Sequence, residues 1–103
     1  IMPVHLFGNN SNIIQVIELA KKYNLFVVED VAQAFGSKDE EKVYLGTKGD
    51  IGAYSFFPSK TLGGIGDGGM IATNNEEYFS LISKLKNTKN NADFFDSMNK
   101  SAN

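Results

Sequence analysis

The sequence predicts an α/β fold, a mostly parallel sheet with one antiparallel strand. Three observations carry this reading. An amphipathic helical pattern leads into the unbroken run "LFVVE". A second run, "IGAYSFF", stops at Pro58. A Gly-rich stretch without helical period then separates that run from "GMIAT". A strand with no polar alternation belongs in a sheet covered on both faces, as parallel sheets are. A parallel crossover needs a dozen or more residues and normally a helix, so "GMIAT" is expected to return antiparallel to "AYSFF".

Taken in order, "IMPVHLF" reads as a short strand closed by the turn cluster "GNNSN". In "IIQVIELAKKY", Ile13, Val16, Ile17 and Ala20 recur at helical spacing, with Asn12 as N-cap and Asn24 as the C-terminal stop. Strand, helix and "LFVVE" together form a βαβ unit with a right-handed crossover. The charged connection 30–50 reads as a surface loop with a short strand at "KVYL". Asn74 or Asn75 caps a last helix, with Glu76 and Glu77 in its first turn and Phe79, Ile82 and Leu85 on one face. From about residue 88 the tail is irregular, though Phe94 and Phe95 offer it a place to dock.

Composition narrows the class. The 103 residues suit one domain, and 42% apolar content with eight Phe is ordinary for a folded core. Ten basic against twelve acidic side chains leave no positive field for a nucleic acid. No cysteine is present and His5 is the lone histidine, so neither thiolate chemistry nor a metal site is expected. Without a signal segment or a long apolar run, the expected location is cytoplasmic, away from membranes. The chain begins inside an apparent strand, and the expectation is an incomplete domain, residues 1–103 being the central segment of a larger one.

In open α/β sheets, ligands sit beyond the carboxyl ends of the parallel strands. Asp30 follows "LFVVE" and Lys60 follows "AYSFFP". A lysine there is either a solvated surface group or, in a neutral pocket, an amine nucleophile of the kind carbonyl and pyridoxal phosphate chemistry uses. Asp30 is either a turn residue or a carboxylate that keeps a pyridinium nitrogen protonated. Ser55 by itself reads as a small polar filler in a strand. His5 reads as a structural hydrogen-bonding group, with general base as the other possibility. The glycines of "GGIGDGG" precede a strand rather than a helix, so they read as backbone freedom for a tight return beside Lys60, not as a phosphate loop.

"VVEDVAQAFGS" followed by "GDIGAYSFFPSKTLGGIGDGGMIATN" resembles the DegT/DnrJ/EryC1/StrS family of sugar aminotransferases, from "PVHLFG" to about "KLKN". The resemblance implies part of the large domain of an aspartate aminotransferase-like fold (fold type I of the pyridoxal phosphate enzymes). It implies a pyridoxal 5'-phosphate enzyme that moves an amino group from an amino acid, with glutamate the expected donor, to a nucleotide-linked keto-sugar in polysaccharide biosynthesis. Lys60 would carry the internal aldimine, Asp30 would pair with the pyridine nitrogen, Gln33 would lie near the phenolic oxygen, and Ser55 would bind the phosphate. No metal is implied, and the parent would be a homodimer. Thr61 stands where many relatives carry Asn, and "FGNNSN" replaces the usual turn. Two alternatives stay open. One is a sugar dehydratase of the same family, although such relatives typically carry His in place of Lys60. The other is that the segment alone has no activity.

Overall fold

The computed structural model describes residues 1–87. The expected irregular tail, with Phe94 and Phe95, lies outside the described residues. A 3₁₀ turn at Leu6–Gly8 comes first, followed by α1 (Ile13–Tyr23), β1 (Val28–Asp30), β2 (Ile51–Ser55), β3 (Gly69–Ala72) and α2 (Glu76–Asn87). The sheet order is β1-β2-β3, with β1 parallel to β2 and β3 antiparallel to β2, as the missing crossover helix demands.

The opening segment is less regular than a strand. Only Val4 forms a bridge, parallel to Asp30, while Ile1 and Pro3 carbonyls accept from the N–H of Val28 and Asp30, and His5 N–H donates to the Asp30 carbonyl. The chain then turns away sharply, because Phe7 adopts a left-handed φ of 53°. For an L-residue with a bulky side chain that conformation costs about 1–2 kcal/mol. "KVYL" likewise yields a single antiparallel bridge, Lys38 to Tyr44, rather than a strand.

α1 forms where the periodicity places it and ends at Asn24, whose left-handed φ of 51° lets its N–H reach the Ala20 and Lys21 carbonyls. Its start differs from the expected cap. Asn12 is itself left-handed, with φ 51°, and its side chain caps nothing; instead the Asn10 side-chain oxygen accepts from Asn12 N–H at 3.0 Å. At α2 the cap is Asn75, whose side-chain oxygen accepts from the N–H groups of Glu77 and Tyr78 at 2.9 and 3.1 Å. The inward residue of its first turn is Tyr78, not Phe79. Tyr78 meets the Phe26 ring edge-on at 6.0 Å, whereas Phe79 stays mostly exposed.

The core lies on one side of the sheet, where Ile13 and Ala20 of α1 pack against Val27, Val31, Ala34 and Leu45. Val27 and Glu29 point into this side, and strand alternation sends Val28 and Asp30 to the other, which is only half buried. Double coverage of "LFVVE" is thus not met among the described residues: Leu25 and Phe26 are exposed. An open groove of about 550 Å³ separates α2 from β2 and β3, lined by Ala53, Met70, Ile71, Phe79 and Ile82 among others. β2 also touches the 45–49 loop closely. A Cβ on Gly52 would come within 2.2 Å of the Gly46 carbonyl oxygen, and Gly46 itself sits at φ +89°.

Candidate active site

Register decides which side chains share a face. Asp30 pairs with Ala53 across the parallel ladder, and Ser55 lies two residues further along β2, so Asp30, Ala53 and Ser55 point the same way at the carboxyl ends of neighbouring strands. They line a shallow hollow of about 240 Å³ with Met2, Val28, Ala32 and Tyr54. The floor between carboxylate and hydroxyl is the methyl of Ala53, which leaves room for a flat ring.

The polar groups are prepared rather than saturated. One Asp30 oxygen accepts from Ala32 N–H at 3.0 Å, an Asx-type turn that fixes the carboxylate as the chain leaves the sheet. The second oxygen has no hydrogen-bond partner among the described residues. The Ser55 hydroxyl oxygen accepts a long contact from Phe57 N–H, 3.4 Å, which leaves its own hydrogen to donate.

Lys60 stands in the turn beyond β2, formed by Phe57, Pro58, Ser59 and Lys60 and closed by Lys60 N–H donating to the Phe57 carbonyl at 2.8 Å. It is half buried, and no hydrogen bond or ion pair engages its amine among the described residues. The loop that carries it is pinched at its neck, where Phe56 donates to the Gly68 carbonyl and accepts from Gly64 N–H. The loop's glycines, expected from the sequence to give backbone freedom for a tight return, act by close approach. None from Gly63 to Gly69 has positive φ, yet a Cβ on Gly63 would meet the Pro58 oxygen at 2.5 Å. Gln33 is exposed, and its side-chain oxygen accepts from Phe7 N–H at 3.2 Å. Asp30 and Ser55 therefore share the hollow, while Gln33 and Lys60 stand outside its wall.

His5 proves structural. Its Nε2 lies 2.9 Å from Glu29 Oε2, and both side chains are fully buried. Glu29, unnoticed in the sequence because it closes an apolar run, also accepts from Gly46, Lys48 and Gly49 N–H at 2.6, 2.9 and 2.6 Å. Burial pushes its carboxyl up, but the hydrogen bonds from His5, Gly49, Gly46 and Lys48 together outweigh burial and hold it below its ordinary value. Glu29 is thus a carboxylate, and His5 Nε2 carries the shared proton. Burial, with the Glu29 charge nearby, pushes the Tyr54 phenol up, and its hydroxyl donates to the Leu45 carbonyl at 3.0 Å. Alternation within the strand was the available clue: a residue beside a carboxyl-end Asp faces the opposite side. No cluster of three His, Cys, Asp or Glu among the described residues suits a metal, and no described helix is long and apolar enough to cross a membrane.

A carboxylate with a free oxygen, a hydroxyl with a free hydrogen, a small floor and a nearby amine fit a phosphorylated, pyridine-type cofactor. Known proteins with similar chains lie in the same direction. GDP-perosamine synthase of Escherichia coli O157:H7 is 52% identical over 86 residues, 84% of this chain and 23% of that protein. UDP-N-acetyl-3-dehydro-alpha-D-glucosamine 3-aminotransferase of Acidithiobacillus ferrooxidans is 45% identical over 87 residues, again 84% and 23%. The crystal structure of DesV from S. venezuelae superposes with a TM-score of 0.79 at 35% identity, covering 86% of this chain and 24% of DesV. E. coli GDP-4-keto-6-deoxy-D-mannose-3-dehydratase, solved with bound hydrated PLP, matches at TM-score 0.69 and 27% identity over 79% of this chain and 20% of its own. The chain thus spans about a quarter of the length of the curated relatives it matches. Its α/β arrangement, two parallel strands and one antiparallel, is a portion of the fold these aminotransferases share. The family model of the DegT/DnrJ/EryC1/StrS aminotransferases matches residues 1–100, and this chain belongs to that family.

Proposed function

We propose that residues 1–103 are the central part of the cofactor-binding domain of a pyridoxal phosphate-dependent nucleotide-sugar aminotransferase. It takes an amino group from an amino acid, glutamate in our reading, and delivers it to a keto-sugar nucleotide. The observation that carries the proposal is the placement of Asp30 and Ser55 on one face at adjacent parallel strand ends, with the Lys60 turn immediately beyond.

When bound, the cofactor supplies an electron-withdrawing ring that makes a hydrogen on the substrate carbon acidic. The chain's own residues do the rest. The free Asp30 oxygen holds the proton on the pyridine nitrogen. The Ser55 hydroxyl would donate to the phosphate and so help to hold the cofactor in place. Gln33 would offer a hydrogen bond to the phenolic oxygen. The Lys60 amine would hold the cofactor at its carbonyl carbon and, when free, would carry a proton between substrate and cofactor. A homodimer, a cytoplasmic location and a role in polysaccharide biosynthesis belong to the same proposal.

The test is the visible spectrum of the full-length protein with added pyridoxal phosphate. A band that borohydride bleaches is expected, and Lys60→Ala abolishes it. No band, or a band untouched by Lys60→Ala, refutes the role of Lys60. Similarity to a dehydratase supports a second reading, dehydration of the same kind of keto-sugar. The amine at position 60 favours transfer, and an amino-sugar formed from a keto-sugar nucleotide and glutamate decides between them. For the 103-residue chain alone we expect cofactor binding far below one equivalent, because it spans only a fraction of its relatives' length.

A further inference from the structure

Gln33 is a residue whose usefulness depends on which end of its carboxamide faces outward. One end accepts hydrogen bonds and the other donates them. The structure resolves that choice through a group that cannot be misassigned: the Phe7 backbone N–H, which can only donate, lies 3.2 Å from Gln33 Oε1. The carbonyl end is therefore held toward Phe7 and the NH₂ end is left to donate.

This contact continues a regular pattern. The opening segment runs beside β1, with Val28 N–H to Ile1, Asp30 N–H to Pro3 and His5 N–H to Asp30 in succession. Two residues past His5, Phe7 N–H is the next donor due toward β1. The main chain leaves the ladder at Ala32, whose N–H donates to the Asp30 side chain, and the Gln33 side chain takes the rung instead. The contact forms where the opening segment turns away from β1, and Phe7 itself is left-handed there, with φ 53° and a ring 82% exposed. Below the turn, the buried His5–Glu29 pair anchors the segment, so the donor has a fixed base.

We propose that the Phe7 backbone N–H is a positioning device for the cofactor: it locks the Gln33 carboxamide so that the NH₂ group is left as a donor to the phenolic oxygen of pyridoxal phosphate. Phe7 is a positioning residue and touches no reacting atom. The inference rests on the function proposed above and deepens it.

The experiment replaces the Phe7 amide by an ester in the full-length protein, by incorporating phenyllactate at position 7, which deletes the N–H and keeps the side chain. Pyridoxal phosphate affinity and the pH at which the bound cofactor's visible band titrates are both measured. The ester is expected to weaken affinity about threefold to tenfold, the effect of one neutral hydrogen bond. It is also expected to move the band's titration to higher pH, because an unheld carboxamide donates less to the phenolate. Gln33→Glu, which accepts from Phe7 but offers no donor, shifts the titration further in the same direction. Phe7→Gly, which keeps the N–H and suits a left-handed φ, leaves the titration in place. An ester that changes neither quantity while Gln33→Glu changes both overturns the role of Phe7. Absence of any cofactor band in the unmodified protein overturns the underlying function instead.

Discussion

Glu29 and Asp30 leave β1 on opposite faces, and their surroundings divide the work. Glu29 is fully buried and accepts from His5 and three backbone N–H groups, so it ties the 46–49 loop to the sheet. Gln at this position would turn an NH₂ toward at least one of those donors. Glu29→Gln is expected to lower stability by about 3 kcal/mol, as breaking a buried charged contact does, read from the urea midpoint. A loss below about 0.5 kcal/mol would place the carboxylate among ordinary surface groups. Asp30 keeps one oxygen free and faces the hollow. The sequence showed Asp30 and Lys60 because strand ends in α/β sheets are where ligands sit. It did not show Glu29 or Phe7, because their importance lies in contacts with residues 17 to 26 positions away.

Among elements, α1, β2 and the antiparallel return of β3 were legible from periodicity, the Pro58 stop and the missing crossover. The first strand and "KVYL" were not: apolar composition marks a run as buried or extended, but whether it forms a ladder depends on the partner beside it. α2 shows the same limit. Its Asn75 cap follows local chemistry, whereas the choice of Tyr78 over Phe79 as the inward residue follows from where Phe26 lies. Asn75→Ala removes the acceptor for two N–H groups and is expected to cost about 1 kcal/mol. Hydrogen exchange of Glu77 and Tyr78 would report the loss, and unchanged protection there would assign the cap elsewhere.

For the molecule as a whole, charge placement predicts an acid limit. The Glu29 and Asp39 carboxyls are both held below their ordinary values. Burial opposes this at Glu29 but is outweighed by hydrogen bonds from His5 and the loop N–H groups. At Asp39 the leading cause is Lys48, whose ammonium lies 2.7 Å away. Such groups contribute their full stability above the unfolded values, near 4.5 and 3.8, and lose it as pH falls through the lowered folded ones. Asp39, with Glu41, holds the Lys48 ammonium above its ordinary 10.5, a contribution present below that pH and lost only as pH rises through the raised value. Urea midpoints of the protein should therefore be level near neutrality and fall below about pH 4.5, with a shallower fall in Glu29→Gln. Equal slopes in the two proteins would remove Glu29 from the acid transition. The folded shape is a plate of 43 × 41 × 19 Å, and among the described residues one sheet face carries the packed core. The exposed Phe26, Ile71 and Phe79 make the other side apolar.

The adjacency of two acids with opposite orientations also serves as a registration mark during folding. A slip of β1 by a single residue would exchange the two carboxylates. Asp30 would then enter the core one methylene too short to meet Gly46, Lys48 and Gly49, and Glu29 would stand in the open with nothing to hold it. The mistaken alignment forfeits its own interior contacts, so the strand is proofread by the same charge that anchors it, and a chain that folds at all presents the correct acid to the hollow.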